Sequence, residues 1–188
     1  MSDDLLQTIL AEVTGVVART DQAPLGALAR ALDEAGPVFV TGEGRSGFMA
    51  KAFAMRLMHL GLRVHVVGET TTPAVGPDAT VVAVSGSGTT AGTVHVAGAA
   101  AGRGAAVWAV TTDADSALAA TALTTAGGVV VVPAATKHRR ADEAATIQPL
   151  SSLFDQGVHL VLDAVCLQLA GLRRVDNATA VKAHANTE

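Results

Sequence analysis

Short runs of β-branched and other apolar residues recur along the chain, separated by alanine-rich stretches that are long enough to form helices. Their almost unbroken apolar character is typical of strands covered on both faces, as in a parallel sheet. Alternation of such strands with helices indicates repeated βαβ units. We therefore expect an α/β fold, a three-layer sandwich in which helices flank a five-stranded parallel sheet. The predicted strands are residues 37–41, 63–67, 80–84, 105–110 and 128–132.

The stretches between and around these strands have the apolar spacing of helices. The last of them is apolar on most sides, so one sheet cannot cover it. Together with the leading helix it is a candidate for a subunit interface. Residues 175–188 are polar and are predicted to form a frayed, flexible tail. The predicted helices are residues 3–18 and 24–35 before the first strand, the crossover helices 46–60, 89–101 and 116–122, and the last helix 149–172.

Composition excludes several classes of protein. With 49% hydrophobic and 16% charged residues among 188, the chain suits one domain with a single core and is not disordered. A net charge of −4 and 3% aromatic residues argue against a nucleic-acid partner. Residues 79–102 have no Asp, Glu, Lys or Arg, but the glycine- and serine-rich stretch within them predicts that they do not cross a membrane.

Two features favour a cytoplasmic location. The N-terminus, Met-Ser-Asp-Asp, is acidic where a signal peptide would be basic and then apolar. The single cysteine, Cys166, allows neither an internal disulfide nor a cysteine-based zinc cluster. Its apolar neighbours predict a packed, inert thiol.

Two glycine-rich loops each follow a predicted strand and precede a helix. The first loop, residues 42–47, is Gly-Glu-Gly-Arg-Ser-Gly, and the second loop, residues 85–90, is Ser-Gly-Ser-Gly-Thr-Thr. In a parallel sheet both would face one crevice at the carboxyl ends of the strands. Glycines allow close backbone approach, hydroxyls donate hydrogen bonds, and a helix N-terminus presents free N–H groups to an anion. The two loops therefore predict a phosphate-binding site.

The first loop also permits a different interpretation. Gly42, Gly44 and Gly47 satisfy the G-x-G-x-x-G pattern, and Glu69 follows the second predicted strand, where a dinucleotide-binding fold has its ribose-binding acid. A dinucleotide-dependent oxidoreductase is therefore an alternative. Against it, Arg45 would crowd the pyrophosphate and the second loop would have no function.

With these residues in view, the sequence resembles the sugar isomerase domain family, a phosphosugar-binding α/β fold of the flavodoxin-like type. Within that family it is most similar to the members that isomerise a 3-hexulose 6-phosphate. The similarity extends in order through nearly the whole chain. It includes the first loop, residues 85–88 of the second loop, and residues 50–61, 66–70 and 148–156.

The resemblance implies an isomerase that interconverts D-arabino-hex-3-ulose 6-phosphate and D-fructose 6-phosphate through an enediol, with no metal or organic cofactor. It places this reaction in the ribulose monophosphate pathway of formaldehyde fixation, coupled to a 3-hexulose-6-phosphate synthase. It further implies a homotetramer with sites near the subunit contacts. Another phosphosugar isomerase, or a non-catalytic sugar-phosphate sensor of the same fold, is the alternative, although no basic DNA-binding module precedes the first strand.

The resemblance also implies roles for individual residues. It places the proton acceptor, which is a Glu in the family pattern, at Asp155, whose side chain is one methylene shorter. Alternatively, Asp155 is an ordinary acid in the first turn of a helix. If Asp155 is not the base, Glu143 is the nearest substitute. It places a second suspected acid–base group at His59, which taken alone would be a partner of the helix dipole. The loop 137–140, Lys-His-Arg-Arg, is predicted to be solvated, or else to help cover the substrate. The expected substrate-binding residues are Gly44, Arg45, Ser46, Glu69, Ser85, Gly86, Ser87, Gly88, Thr89 and Thr90.

Overall fold

A computed structural model describes residues 4–141 and 143–187 of the chain. This part of the chain forms one sheet of five strands with helices on both sides. In chain order the elements are α1 (Leu5–Arg19), α2 (Ala23–Glu34), β1 (Val38–Gly42), α3 (Gly44–His59), β2 (Val64–Val66), β3 (Thr80–Val84), α4 (Ala91–Ala101), β4 (Ala106–Thr111), α5 (Ala117–Leu123), β5 (Gly128–Val131), α6 (Ser152–Arg173) and α7 (Asn177–Lys182).

The sheet has the strand order β2-β1-β3-β4-β5, and every neighbouring pair is parallel. This confirms the predicted α/β class and all five predicted strands. The chain leaves β1 toward one edge of the sheet and leaves β3 toward the other. The carboxyl ends of β1 and β3 therefore form the switch point at which ligands bind in open α/β sheets.

The sheet separates two apolar clusters, which explains why its strands are apolar on both faces. Helices α1, α2, α3 and α6 cover one face, where Val40 and Val82 of the sheet meet the fully buried Phe154 of α6. Helices α4 and α5 cover the other face, where Phe39 and Val81 point. Neighbouring strand residues thus enter opposite clusters, as the alternation of side chains along a strand requires.

Helix α6 is the long apolar helix predicted from the sequence. Its length and composition alone would let it cross a membrane, but more than half of that stretch is buried and it packs against α1, α2 and α3. It begins at Ser152 rather than at residue 149, because Leu150 has a left-handed backbone (φ 53°) that an α-helix cannot include. Exposed apolar residues remain on this side of the molecule: Leu5, Leu6 and Leu10 on α1, Phe48, Met55 and Met58 on α3, and Leu160, Leu167 and Leu172 on α6.

The polar C-terminal segment differs from the predicted frayed tail. Residues 177–182 form α7, because the Asp176 carboxylate caps its N-terminus and accepts a hydrogen bond from the Thr179 N–H. Beyond α7, the His184 ring lies 3.2 Å from the His59 ring, measured from Nδ1 to Nε2. Residue 3, at the start of the predicted first helix, and residue 188, at the end of the predicted tail, lie outside the described residues.

Candidate functional site

The first and second loops meet at the switch point of the sheet. A cavity of about 290 Å³, called the crevice below, opens between them. Its remaining wall comes from the start of α6 and from the segment after β5. The lining residues are Glu43, Gly44, Arg45, Ser46, Gly86, Ser87, Thr90, Thr136, Lys137, Leu150, Ser151 and Asp155.

Asp155 lies in the first turn of α6 and is only 3% exposed. The Ser46 hydroxyl donates to its Oδ1 over 2.9 Å, and Arg45 Nε donates to its Oδ2 over 3.2 Å. Burial raises the pKa of this carboxyl above its ordinary value, although the Ser46 hydrogen bond and the Arg45 charge act in the opposite direction. A carboxylate with a raised pKa is a stronger base, which suits proton abstraction near neutral pH.

The second loop is held in shape by its own hydroxyl groups. Ser85 Oγ and Thr90 Oγ1 are 2.9 Å apart, and Thr89 donates to Ser87 Oγ from both its N–H and its hydroxyl. Gly88 has a left-handed backbone (φ 63°), and a Cβ at this position would lie 2.1 Å from the Ser116 hydroxyl. The loop is therefore preorganised and depends on glycine at position 88.

The N-terminus of α4 follows the second loop and faces the crevice. Its N-cap residue, Thr90, makes no side-chain capping hydrogen bond to the first-turn N–H groups. The Glu43 carboxylate approaches this turn, since a Cβ on Gly92 would lie 1.9 Å from Glu43 Oε1. The helix end thus has the field and the donors that favour a negatively charged group.

The structure brings most of the expected site residues together. Gly44, Arg45, Ser46, Gly86, Ser87, Thr90 and Asp155 line the crevice. Ser85, Gly88 and Thr89 shape the second loop from behind. Sequence reasoning missed the lining residues Glu43, Thr136, Ser151 and Leu150. It placed Lys137 in a loop predicted to be solvated or else to help cover the substrate.

Two expected site residues, Glu69 and His59, lie outside the crevice. The Glu69 carboxylate accepts a 2.8 Å hydrogen bond from Lys51 Nζ at the surface, and this bond lowers the pKa of Glu69. Glu69, which would bind the ribose in a dinucleotide-binding fold, therefore lies outside the crevice. His59 ends α3, roughly 20 Å along the helix axis from Ser46. It is buried beside His184, and burial, followed by the nearby Arg56 charge, lowers its pKa.

Glu143, the substitute for Asp155, also lies outside the crevice. Its carboxylate accepts hydrogen bonds from the backbone N–H and the hydroxyl of Thr136, over 2.8 and 2.6 Å. It therefore holds one wall of the site from behind. Cys166 is buried, and burial raises the pKa of its thiol to about 12, as expected for an inert group.

Fold and site together define a parallel α/β protein with a crevice for a small anionic ligand and a buried carboxylate beside it. The model of the SIS domain family matches residues 31–137, more than half of the chain. The chain belongs to the SIS domain family.

Individual relatives extend this similarity over the full length. The 3-hexulose-6-phosphate isomerase of Mycobacterium gastri is 40% identical over 191 residues, covering 100% of this chain and 94% of that protein. The 3-hexulose-6-phosphate isomerase of Bacillus subtilis is 39% identical over 151 residues, 80% of each. A crystal structure of a Methanococcus jannaschii protein, described as inferring a function of 3-hexulose-6-phosphate isomerase, has a TM-score of 0.79 at 24% identity and covers 97% of this chain and 98% of that one.

Proposed function

We propose that the chain is an isomerase that interconverts D-arabino-hex-3-ulose 6-phosphate and D-fructose 6-phosphate. The observation that carries the proposal is the position of Asp155, a buried carboxylate with a raised pKa at the edge of a crevice built for an anion. The full-length similarity to 3-hexulose-6-phosphate isomerases supports the choice of substrate. No step of this chemistry requires a metal or an organic cofactor.

The mechanism follows from what the two ketoses have in common. The phosphate binds the second loop and the N-terminus of α4, which leaves the carbon chain to extend toward Asp155. Asp155 removes the C2 proton, which is acidified by the C3 carbonyl, and the electrons of the C–H bond form a 2,3-enediolate. Asp155 then returns the proton to C3, while the proton of the C2 hydroxyl passes to the oxygen on C3. Ser46 and Arg45 hold the carboxylate in place through both transfers.

Coupled conversion of fructose 6-phosphate tests the proposal. Purified protein is incubated with fructose 6-phosphate and an active 3-hexulose-6-phosphate synthase, and the released formaldehyde is measured. We expect release that depends on the concentration of the chain. Addition of the Mycobacterium gastri isomerase is the positive control, and no release without that addition would contradict the proposal. Binding of the sugar phosphate without turnover would instead indicate a sensor, and turnover of other phosphosugars alone would indicate a different isomerase.

We also propose that the chain acts as a homo-oligomer, a tetramer in the family pattern. The exposed apolar residues of α1, α3 and α6 support this, because a soluble monomer seldom leaves so many together. An apolar cavity of about 410 Å³ between α1 and α6 is lined by Leu10 and Leu160 and also touches Arg45 and Asp155. A second subunit on this face would lie beside the crevice.

The cellular setting follows from the reaction. We propose a cytoplasmic enzyme that works with a 3-hexulose-6-phosphate synthase in the ribulose monophosphate pathway. The absence of a second cysteine agrees with a reducing compartment. Fractionation of the source cells, with the synthase activity as a marker, tests the location.

A further inference from the structure

The segment after β5, described for residues 133–141 and 143–151 and here called the strap, contributes to one wall of the crevice. It brings Thr136 and Lys137 to the cavity. The Lys137 side chain is exposed, and within residues 4–141 and 143–187 it makes no ion pair. The other cation of the crevice, Arg45, is paired with Asp155. Among the described lining residues, Lys137 is therefore the cation without a carboxylate partner.

Two anchors fix the backbone at Lys137. On one side, Thr136 is fully buried and is bound at both its N–H and its hydroxyl by the Glu143 carboxylate. On the other side, the N–H of Lys137 donates to Ser151 Oγ over 3.1 Å. The carbonyl of Ser151 in turn accepts from the N–H of Asp155 over 3.0 Å. Lys137 is thus tied to the same helical turn that carries the proposed base.

A third set of contacts connects the strap to the second loop. Arg140 Nε lies 3.3 Å from Glu143 Oε1, and the same guanidinium bonds Asp113 and the Thr112 hydroxyl over 2.9 and 3.1 Å. The Thr112 hydroxyl donates to the carbonyl of Gly86 over 2.8 Å. The chain of contacts from Glu143 through Arg140 to Gly86 holds the strap at a set position relative to the phosphate-binding loop.

We propose that Lys137 is a catalytic residue that stabilises the negative charge of the enediolate oxygens, and that Glu143 is the positioning residue that seats it. This inference rests on the proposed isomerisation. Proton abstraction by Asp155 transfers a negative charge to the oxygens of C2 and C3. Arg45 is already engaged with Asp155, whereas among the described residues no carboxylate pairs with Lys137, which lines the same crevice as Asp155.

The backbone of Lys137 is anchored to α6 and not to the expected phosphate donors. The phosphate donors are the hydroxyls of the second loop and the first turn of α4, whereas Lys137 is tied to Ser151 at the start of α6. A cation beside the reacting oxygens interacts more strongly with the enediolate than with the uncharged ketose, so it contributes mainly to the transition state. Loss of Lys137 should therefore reduce kcat more than it raises KM.

The first test compares Lys137→Gln and Lys137→Arg with the unaltered chain. We expect Lys137→Gln to lower kcat by about 100-fold, with KM and the inhibition constant of inorganic phosphate unchanged within about threefold, and Lys137→Arg to recover part of kcat. Lys182→Gln, an exposed lysine of α7, is the matched control and should keep full activity.

Two results would overturn the role of Lys137. One is a kcat for Lys137→Gln within threefold of the unaltered chain. The other is a raised phosphate inhibition constant with kcat unchanged, which would make Lys137 a phosphate ligand. If the unaltered chain itself does not convert fructose 6-phosphate, the proposed function fails and the inference fails with it. Conversion by the unaltered chain with an equally active Lys137→Gln variant refutes the inference alone.

The second test concerns Glu143 and uses the isosteric Glu143→Gln, which keeps one acceptor for Thr136. We expect kcat to fall about tenfold. Activity should still fall at low pH, because Asp155 remains the group whose protonation stops the reaction. The double variant with Lys137→Gln should be no slower than Lys137→Gln alone. Independent, multiplying effects on kcat would contradict a positioning role. A fall in kcat equal to that caused by Asp155→Asn, together with loss of the decrease in activity at low pH, would instead make Glu143 the base.

Discussion

At the scale of single residues, Asp155 shows how burial and hydrogen bonding act in opposite directions on one carboxylate. Burial disfavours the charged form, while Ser46 and Arg45 stabilise it, and the net result is a raised pKa. A family resemblance could indicate this position from the sequence. Its partners could not be inferred in the same way, because Ser46 and Arg45 are 109 and 110 positions away and meet Asp155 only after α3 packs against α6.

We expect Asp155→Asn to lower kcat by about 10²- to 10⁴-fold, because the amide cannot accept the C2 proton. Binding of the sugar phosphate should change little, since the second loop is intact. The measurement is kcat from the coupled assay together with a dissociation constant for fructose 6-phosphate from calorimetry. Wild-type turnover by this variant would assign the base elsewhere.

The raised pKa of Asp155 also predicts the direction of a stability change. Between the ordinary pKa of an Asp, about 3.9, and the raised folded-state value, the folded chain holds more protons than the unfolded chain. The contribution of Asp155 to the free energy of unfolding therefore falls as the pH rises through this window. At neutral pH, Asp155→Asn should be at least as stable as the unaltered chain. Urea unfolding at pH 5 and pH 7.5 measures this, and a lower stability of the variant at pH 7.5 would contradict the dominance of burial.

His59 and Glu143 show the opposite case. The family resemblance suggested a role for His59, and Glu143 was the nearest substitute for Asp155, but both residues lie outside the crevice. A helix that starts at the crevice and continues to His59 carries this residue to the far end of the sheet. Glu143 is engaged by Thr136 outside the crevice. Both facts depend on where elements end and fold back, which hydrophobic periodicity specifies poorly.

At the scale of elements, the second loop and α4 work as one anion-binding unit. The sequence predicted this unit because its composition is local: glycine for close approach, hydroxyls for hydrogen bonds and a helix N-terminus directly afterwards. The reason that Gly88 must be glycine is not local. It is the contact with Ser116, at the N-cap of α5.

We expect Gly88→Ala to displace the second loop, because the added Cβ would overlap Ser116 Oγ and the backbone is left-handed. The KM for fructose 6-phosphate should rise at least tenfold, and the free energy of unfolding should fall by about 1–3 kcal/mol. Gly98→Ala in α4 is the matched control, since a Cβ there meets nothing within 4 Å. That variant should keep its KM and gain about 0.5–1 kcal/mol. Equal KM values for the two variants would contradict the proposed loop geometry.

At the scale of the whole molecule, the two sides of the sheet differ in what they leave exposed. Leu6, Phe48 and Leu167 on the α1, α3 and α6 side are each more than 60% exposed. The apolar cavity between α1 and α6 on this side touches the crevice residues Arg45 and Asp155. Burial of such a surface is worth about 25 cal/mol per Å², so an area typical of a stable interface would hold subunits together.

Leu160→Glu should therefore dissociate the proposed oligomer without unfolding the chain, because an unpaired charge on this apolar face is costly to bury in an interface. Leu123→Glu is the control, since Leu123 is equally apolar and 66% exposed but lies on α5, on the other side of the sheet. Light scattering after gel filtration gives the masses. A monomeric unaltered chain, or an equal effect of both substitutions, would contradict an interface on this face.

The order of the five strands and of helices α1 to α6, the α/β class and the two binding loops could be derived from the linear chain, because β-branched runs, helical periodicity and glycine-hydroxyl composition are local properties. The composition of the site could be derived only in part. The pairing of Asp155 with Ser46, the seating of Lys137 by Glu143 and the separation of His59 from the crevice join or divide residues far apart in the chain. Packing of α3 against α6 and the return of the strap across the sheet edge set these distances, and neither is encoded in any one segment.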